Sequence, residues 1–205
     1  MNLTAWQAAW IRVKVGGICA KSSLWQFPLT ASVPKPLQKF PPIWVAARDE
    51  NTFRFAVTHG CNIMSTALRK PFEEVEVLQQ KFRDATADIP ADKLPEHATA
   101  RMCCVYDDDA GHETAVTTAI NFGRSFENLF KNAGEVSQGY PEAIDYSIVA
   151  NRGEYQPEAL TENLLFGTPE EIIVKVQQYR DVGYEHIIIN PCFFLPHADA
   201  RRSLE

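Results

Sequence analysis

A chain of 205 residues, 45% of them hydrophobic, has the length and composition of one ordinary domain with a substantial core, and this excludes global disorder. A net charge of −6 and a pI near 5.4 argue against a nucleic-acid partner. No apolar run approaches the roughly 20 residues of a membrane span, and the N-terminal stretch MNLTAWQAAWIRVKVGG lacks the charged start and long apolar core of a signal peptide.

In chain order, PPIWVAA (41–47) reads as a strand entered through prolines. Asp49 is placed to cap a helix that turns Phe53, Ala56 and Val57 inward, and Gly60 to end it. CNIMS (61–65) is the next strand. Pro71 opens a longer helix with Phe72, Val75, Leu78 and Phe82 at helical spacing. A polar, proline-containing loop (86–97) leads to a third strand, RMCCVY (101–106). Asp107, Asp108 and Asp109 suit a helix N-terminus, and that helix runs through Ala115, Ala119, Phe122 and Phe126. Residues 133–166 carry weaker signals and predict one short helix near 141–150.

The clearest local pattern is GTPEEIIVKVQQYRDVGYEHIIINP (167–191). Thr168 with Glu171 forms a capping box, Pro169 suits the first helical position, and Gly183 suits a left-handed helix end. Ile172, Ile173, Val176 and Tyr179 share the predicted inner face. Ile187, Ile188 and Ile189 form an apolar run without alternation, as in a strand buried on both faces. A last helix starts at HADARRSLE (197–205).

Four short apolar strands, 43–47, 61–65, 101–106 and 186–190, separated by helices, predict a parallel sheet with helical crossovers. This is either an open doubly wound sheet or half of an eight-stranded barrel. The nucleotide fingerprints GxGxxG and GxxxxGK[ST] are absent. The five cysteines, Cys19, Cys61, Cys103, Cys104 and Cys192, are odd in number and form no CxxC, so they read as reduced thiols of a cytoplasmic protein and match no zinc pattern. His112 and Glu113 begin an HExxH pattern that lacks its second histidine, and the aspartate triplet reads as a solvated helix start, so no metal is expected. His59, before Gly60, reads as a helix-end cation.

Two stretches carry a family resemblance. VPKPLQKFPPIWVAARDENTFRFAVTHGCNIM (33–64) resembles the middle of the luciferase-like flavin-dependent monooxygenases, which show a PKPLQKPHPPIWVAA-type stretch. FGTPEEI and VGYEHIIINP resemble that family's last helix and eighth strand. The resemblance implies an α/β fold, a partial (β/α)₈ TIM barrel that is roughly its second half, with the four strands as the fifth to eighth. It divides the chain into an atypical N-terminal segment, 1–25, and a C-terminal half-barrel, 26–205, with the first four strands missing from the sequence. The edge of the last strand then stays open unless the N-terminal segment, another copy or a separate fragment covers it.

Active sites of such barrels lie at the C-terminal ends of the strands. The resemblance implies that the turn Ala47, Arg48, Asn51 and Thr52 helps to bind the phosphate of FMN, although Arg48 stands where family members often have Ser or Thr. Asp49 and Glu50 would repel a phosphate unless they point away; without a ligand the same residues make a capped surface helix. Met64, Ser65 and Thr66 are implied to face the flavin ring, Met64 otherwise being core packing; Asn190 and Cys192 end the last strand and read as strand-end polar groups satisfied by a loop, with lining of the cavity mouth as the alternative. No catalytic residue is named, because the family's catalytic base or substrate contact comes from the other half. The implied activity is oxidation of a small organic substrate by reduced FMN and O2, with a flavin reductase as partner and a deazaflavin as the alternative cofactor. The competing readings are a non-catalytic half-barrel that binds flavin or forms a homo-oligomer, and an unrelated open α/β sheet with a small-molecule site.

Overall fold

The structure is a computed structural model and describes residues 18–21, 26–30, 37–38, 41–131, 134–191 and 193–205. Most of the expected N-terminal segment, and Cys192, lie outside the described residues. Within them, β1 (Ile18–Lys21) and β2 (Gln26–Thr30) pair antiparallel.

From residue 41 strands and helices alternate: β3 (Trp44–Ala46), α1 (Glu50–Thr58), β4 (Asn62–Ser65), α2 (Phe72–Thr86), β5 (His97–Val105) and α3 (Asp109–Lys131). A small hairpin of β6 (Val136–Ser137) and β7 (Tyr140–Pro141) follows. Then come α4 (Pro157–Asn163), β8 (Leu165–Gly167), α5 (Pro169–Val182), β9 (His186–Asn190) and α6 (His197–Arg202).

Every pairing among β3, β4, β5, β8 and β9 is parallel. Ala98 and Thr99 are bridged both to Met64 and Ser65 of β4 and to His186 and Ile187 of β9. One residue can bridge two strands only across its two edges, so β4 and β9 flank β5. The order β3-β4-β5-β9 is that of four consecutive barrel strands. Beyond the level of β9, Cys103–Val105 of β5 pair with β8.

The sheet is strongly curled. Trp44 and His186 lie three strand spacings apart, roughly 14 Å in a flat sheet, yet their ring centroids are 6.1 Å apart. The face that carries them is therefore concave. The other face carries Ile43, Val45, Cys61, Ile63 and Cys103, and packs against Phe53 and Ala56 of α1, Val75 and Leu78 of α2, and Tyr179 of α5. A second cluster closes the opposite face at the top of β5, where Met102 and Cys104 meet Ala115, Val116 and Ala119 of α3 together with Leu160, Phe166 and Phe193.

Local signals and structure agree in most places. Asp49 caps α1, and the capping box of Thr168 and Glu171 is complete. Gly183 ends α5 in the left-handed region at φ 104°. Four expectations are corrected. The third strand begins at His97, four residues before the apolar run, because His97, Thr99 and Arg101 are buried on the helix side, His97 and Arg101 with polar partners there. Residues 141–150 form only a 3-10 turn at Tyr146–Ile148, and the helix lies at 157–163, where Pro157 takes the first helical position. Ile173 is exposed, since α5 contacts the core through Ile172, Val176, Tyr179 and Val182. Ile188 and Ile189 are 37% and 43% exposed rather than buried on both faces. Among the described residues only β5 pairs with β9.

Gly123 makes a close contact between α3 and the chain around Tyr155. A Cβ at Gly123 of α3 would lie 2.7 Å from the Tyr155 ring and 3.1 Å from Cζ of Arg69. Gly123→Ala is expected to destabilise the fold by about 2 kcal/mol through overpacking, read as a lower urea midpoint at unchanged m value. No helix among the described residues is long and apolar enough to cross a membrane.

Candidate active site

The strand register assembles the concave floor. Ala46, Met64 and Ala98 lie side by side on β3, β4 and β5; Ala100 pairs with Ile188 and Met102 with Asn190 one and two levels higher. Three alanines at these positions leave depth above the sheet, and Met64 and Ile188 supply apolar, polarisable flanks.

The turn from β3 into α1 borders that floor at the strands' C-terminal end. Ala47 is buried and its N–H donates to the Met64 carbonyl at 3.0 Å. The Arg48 guanidinium donates to Oε1 of Glu74 on α2 at 3.1 Å, while Lys70 Nζ stands 3.8 Å from Oε2 of the same carboxylate. Lys81 Nζ donates to the Arg48 carbonyl at 2.9 Å. The Asp49 carboxylate accepts the Thr52 N–H at 3.0 Å and the Thr52 hydroxyl at 2.6 Å. These bonds hold Asp49 below the usual carboxylate range, so it stays ionised at neutral pH. Asn51 is exposed. A phosphate therefore fits the turn poorly as it stands: one N–H of Arg48 and both donors of Thr52 already serve carboxylates.

Ser65 turns to the helix side, away from Met64, with its buried hydroxyl 2.8 Å from His97 Nε2. His97 Nδ1 lies 2.6 Å from Gln79 Oε1, and Phe53, Phe82 and Tyr184 surround the imidazole. Burial lowers the His97 pKa to about 4, so the ring is neutral. Thr66 donates from its hydroxyl to the Ala100 carbonyl at 3.0 Å and accepts the Leu68 N–H.

Two buried arginines organise the rest of the β4–α2 loop. Arg101 is 2% exposed; it donates to the Tyr179 hydroxyl at 2.7 Å, the Leu68 carbonyl at 2.7 Å and the Lys70 carbonyl at 3.3 Å. Leu68 sits in the left-handed region at φ 54°, held there by these contacts. Arg69 donates to the Tyr155 hydroxyl at 2.8 Å and lies over the Tyr155 ring, with Glu127 at 3.8 Å. Glu127 also binds Arg152 at 3.0 Å.

Other candidates are occupied structurally. Asp108 accepts the Gly111 N–H at 2.8 Å, and His112 Nε2 lies 2.8 Å from the Thr161 hydroxyl. Among the described residues no three His, Cys, Asp or Glu side chains converge on a metal position. A groove of about 1220 Å³ runs along α4 and α5. Its cation, Lys175, gives its donors to the carbonyls of Thr161, Leu164 and Phe166.

Sequence reasoning passed over Arg69, His97 and Arg101. One signal was available for Arg101: a charged residue opening an apolar strand run must find buried partners.

These elements define a class: half of a parallel (β/α)₈ barrel whose strand ends open onto an apolar concave floor. The chain belongs to the luciferase-like monooxygenase family, whose profile matches residues 3–186. It is 38% identical over 162 residues to the oxygenase component of a flavin-dependent trigonelline monooxygenase from Acinetobacter baylyi, an alignment covering 78% of this chain and 45% of that protein. It is 24% identical over 194 residues to a phthiodiolone/phenolphthiodiolone dimycocerosates ketoreductase from Mycobacterium tuberculosis, covering 82% of this chain and 51% of that one. The chain thus spans about half the length of the curated relatives it matches. Among solved structures, the monooxygenase RslO1 from Streptomyces bottropensis superposes with a TM-score of 0.59 at 18% identity, over 98% of this chain and 56% of that one. An F420-dependent secondary alcohol dehydrogenase superposes with a TM-score of 0.57 at 16% identity, over 92% and 57%. At such identities these two likenesses establish the fold alone.

Proposed function

We propose that this chain supplies the C-terminal half of the flavin pocket of a flavin-dependent monooxygenase. The reading rests on the apolar concave face of Ala46, Met64, Ala98 and Ile188 in a family member. The proposed cofactor is reduced FMN with O2 as co-substrate, and a small organic molecule is the substrate. The 38% identical relative is named an oxygenase component, which favours a separate flavin reductase as partner. Trigonelline is the first substrate to test. Bound flavin supplies the redox chemistry; the chain's own residues hold the ring, shape the cavity and exclude water. Met64 lies under the ring, and Ser65 acts indirectly, fixing the strand end through His97. Ala47, Arg48, Asn51 and Thr52 form the nearest turn to the phosphate. A deazaflavin is the second reading, favoured by the F420-dependent enzyme among the structural neighbours.

The test is a titration of the full chain with FMN, riboflavin and F420, read by flavin fluorescence, with size-exclusion chromatography on the same sample. Saturable binding of FMN by a discrete species is expected. Met64→Asp should weaken FMN and riboflavin alike by about tenfold, or ~1.4 kcal/mol. Tighter binding of F420 than of FMN would favour the deazaflavin reading, and binding of none of the three would remove the proposal.

A further inference from the structure

The β3–α1 turn is closed by its own carboxylates. Asp49 holds both donors of Thr52, and Glu74 holds the guanidinium of Arg48. An incoming phosphate would meet an ionised Asp49 and no free cation within the turn. Asp49 is the helix cap and is fixed by α1 itself. Glu74 is different: it belongs to another helix and reaches across to the turn.

We infer that Glu74 is a specificity-determining residue that holds Arg48 away from the cofactor's phosphate, so that this chain grips a flavin by its ring and scarcely by its phosphate. The inference rests on the flavin reading above. The Arg48–Glu74 pair is partly exposed on both sides, so it is a weak clamp that a dianion or a substitution can release. Released, Arg48 stays at the strand end, because Lys81 still holds its carbonyl and Ala47 remains anchored to Met64. The guanidinium then has a free fork of donors suited to phosphate oxygens. Glu74 thereby sets the preference between phosphorylated and unphosphorylated flavins.

The experiment measures dissociation constants of FMN and riboflavin for the wild-type chain, Glu74→Gln, Glu74→Ala, and Arg48→Ala combined with Glu74→Gln. Circular dichroism checks that each is folded. Wild type should bind the two flavins within about twofold of each other. Both single variants should bind FMN about fivefold more tightly, the scale of one weak ion pair, with riboflavin unchanged, and the double variant should lose the gain. Binding of both flavins with no selective FMN gain in either single variant would overturn the role of Glu74 while leaving the flavin reading intact. An equal gain for both flavins would also overturn it, since a general change in the fold would then explain the result. Binding of neither flavin to any variant would remove the flavin reading, and this inference with it.

Discussion

Arg101→Met should lower the stability of the fold by about 4 kcal/mol. The side chain is almost fully buried and binds the Tyr179 hydroxyl and the carbonyls of Leu68 and Lys70. Methionine roughly fills the aliphatic volume but leaves these acceptors without a donor, at ~1–3 kcal/mol for each buried unsatisfied group. The loop 66–71 would also lose the tie that keeps Leu68 in its left-handed conformation. Urea unfolding gives the stability, and amide exchange at Leu68–Lys70 reports the loop. Arg101→Lys should recover only part of the loss, because an ammonium cannot reproduce the planar fork. A loss below about 1 kcal/mol in Arg101→Met would show that water replaces the guanidinium and that Arg101 does not organise the loop.

The second large effect depends on pH. His97 is 5% exposed, its pKa is depressed to about 4 in the fold, and it returns to 6.5 when the chain unfolds. Protonation therefore favours the unfolded chain. The contribution of the neutral ring is complete above pH 6.5 and disappears as the pH falls to about 4, a loss of about 3 kcal/mol at 1.36 kcal/mol per unit. Denaturant midpoints measured from pH 7.5 to 4 should fall along this window. His97→Leu loses the bonds to Ser65 and Gln79 and is less stable at neutral pH, but its midpoint should be much flatter from pH 6.5 to 4. An equally steep fall in the variant would assign the acid sensitivity to carboxylates instead.

Much of the architecture is legible in the residues. Helix limits at Asp49, Thr168 and Gly183 depend on local backbone chemistry, and the structure places caps where those side chains predict them. Alternating strands and helices gave the parallel sheet for the same reason. What local pattern cannot convey is which face finds a neighbour. Ile187–Ile189 have the composition of a doubly buried strand, yet their burial depends on elements far away in sequence. The short helix α4 was misplaced because Pro141 and Pro157 carry the same local signal and only packing separates them. At the candidate site, the position of the β3–α1 turn follows from the family pattern. The engagement of Arg48 by Glu74 bridges 26 residues of sequence and became visible only in space.

The three-way pairing of β5 has a consequence for biosynthesis. Its first half joins β4, made earlier, while its other partners, β9 and β8, lie in sequence made later. As the chain leaves the ribosome, Cys103 and Cys104 must wait for residues 165–167 of β8, and Ala98–Met102 keep one edge unsatisfied until residues 186–190 have emerged. Translation speed through residues 106–185 therefore sets how long that edge can be captured by a chaperone or by a neighbouring nascent chain. The long excursion through α3, α4 and α5 makes β5 the last central strand to be secured, although it stands in the middle of the sheet.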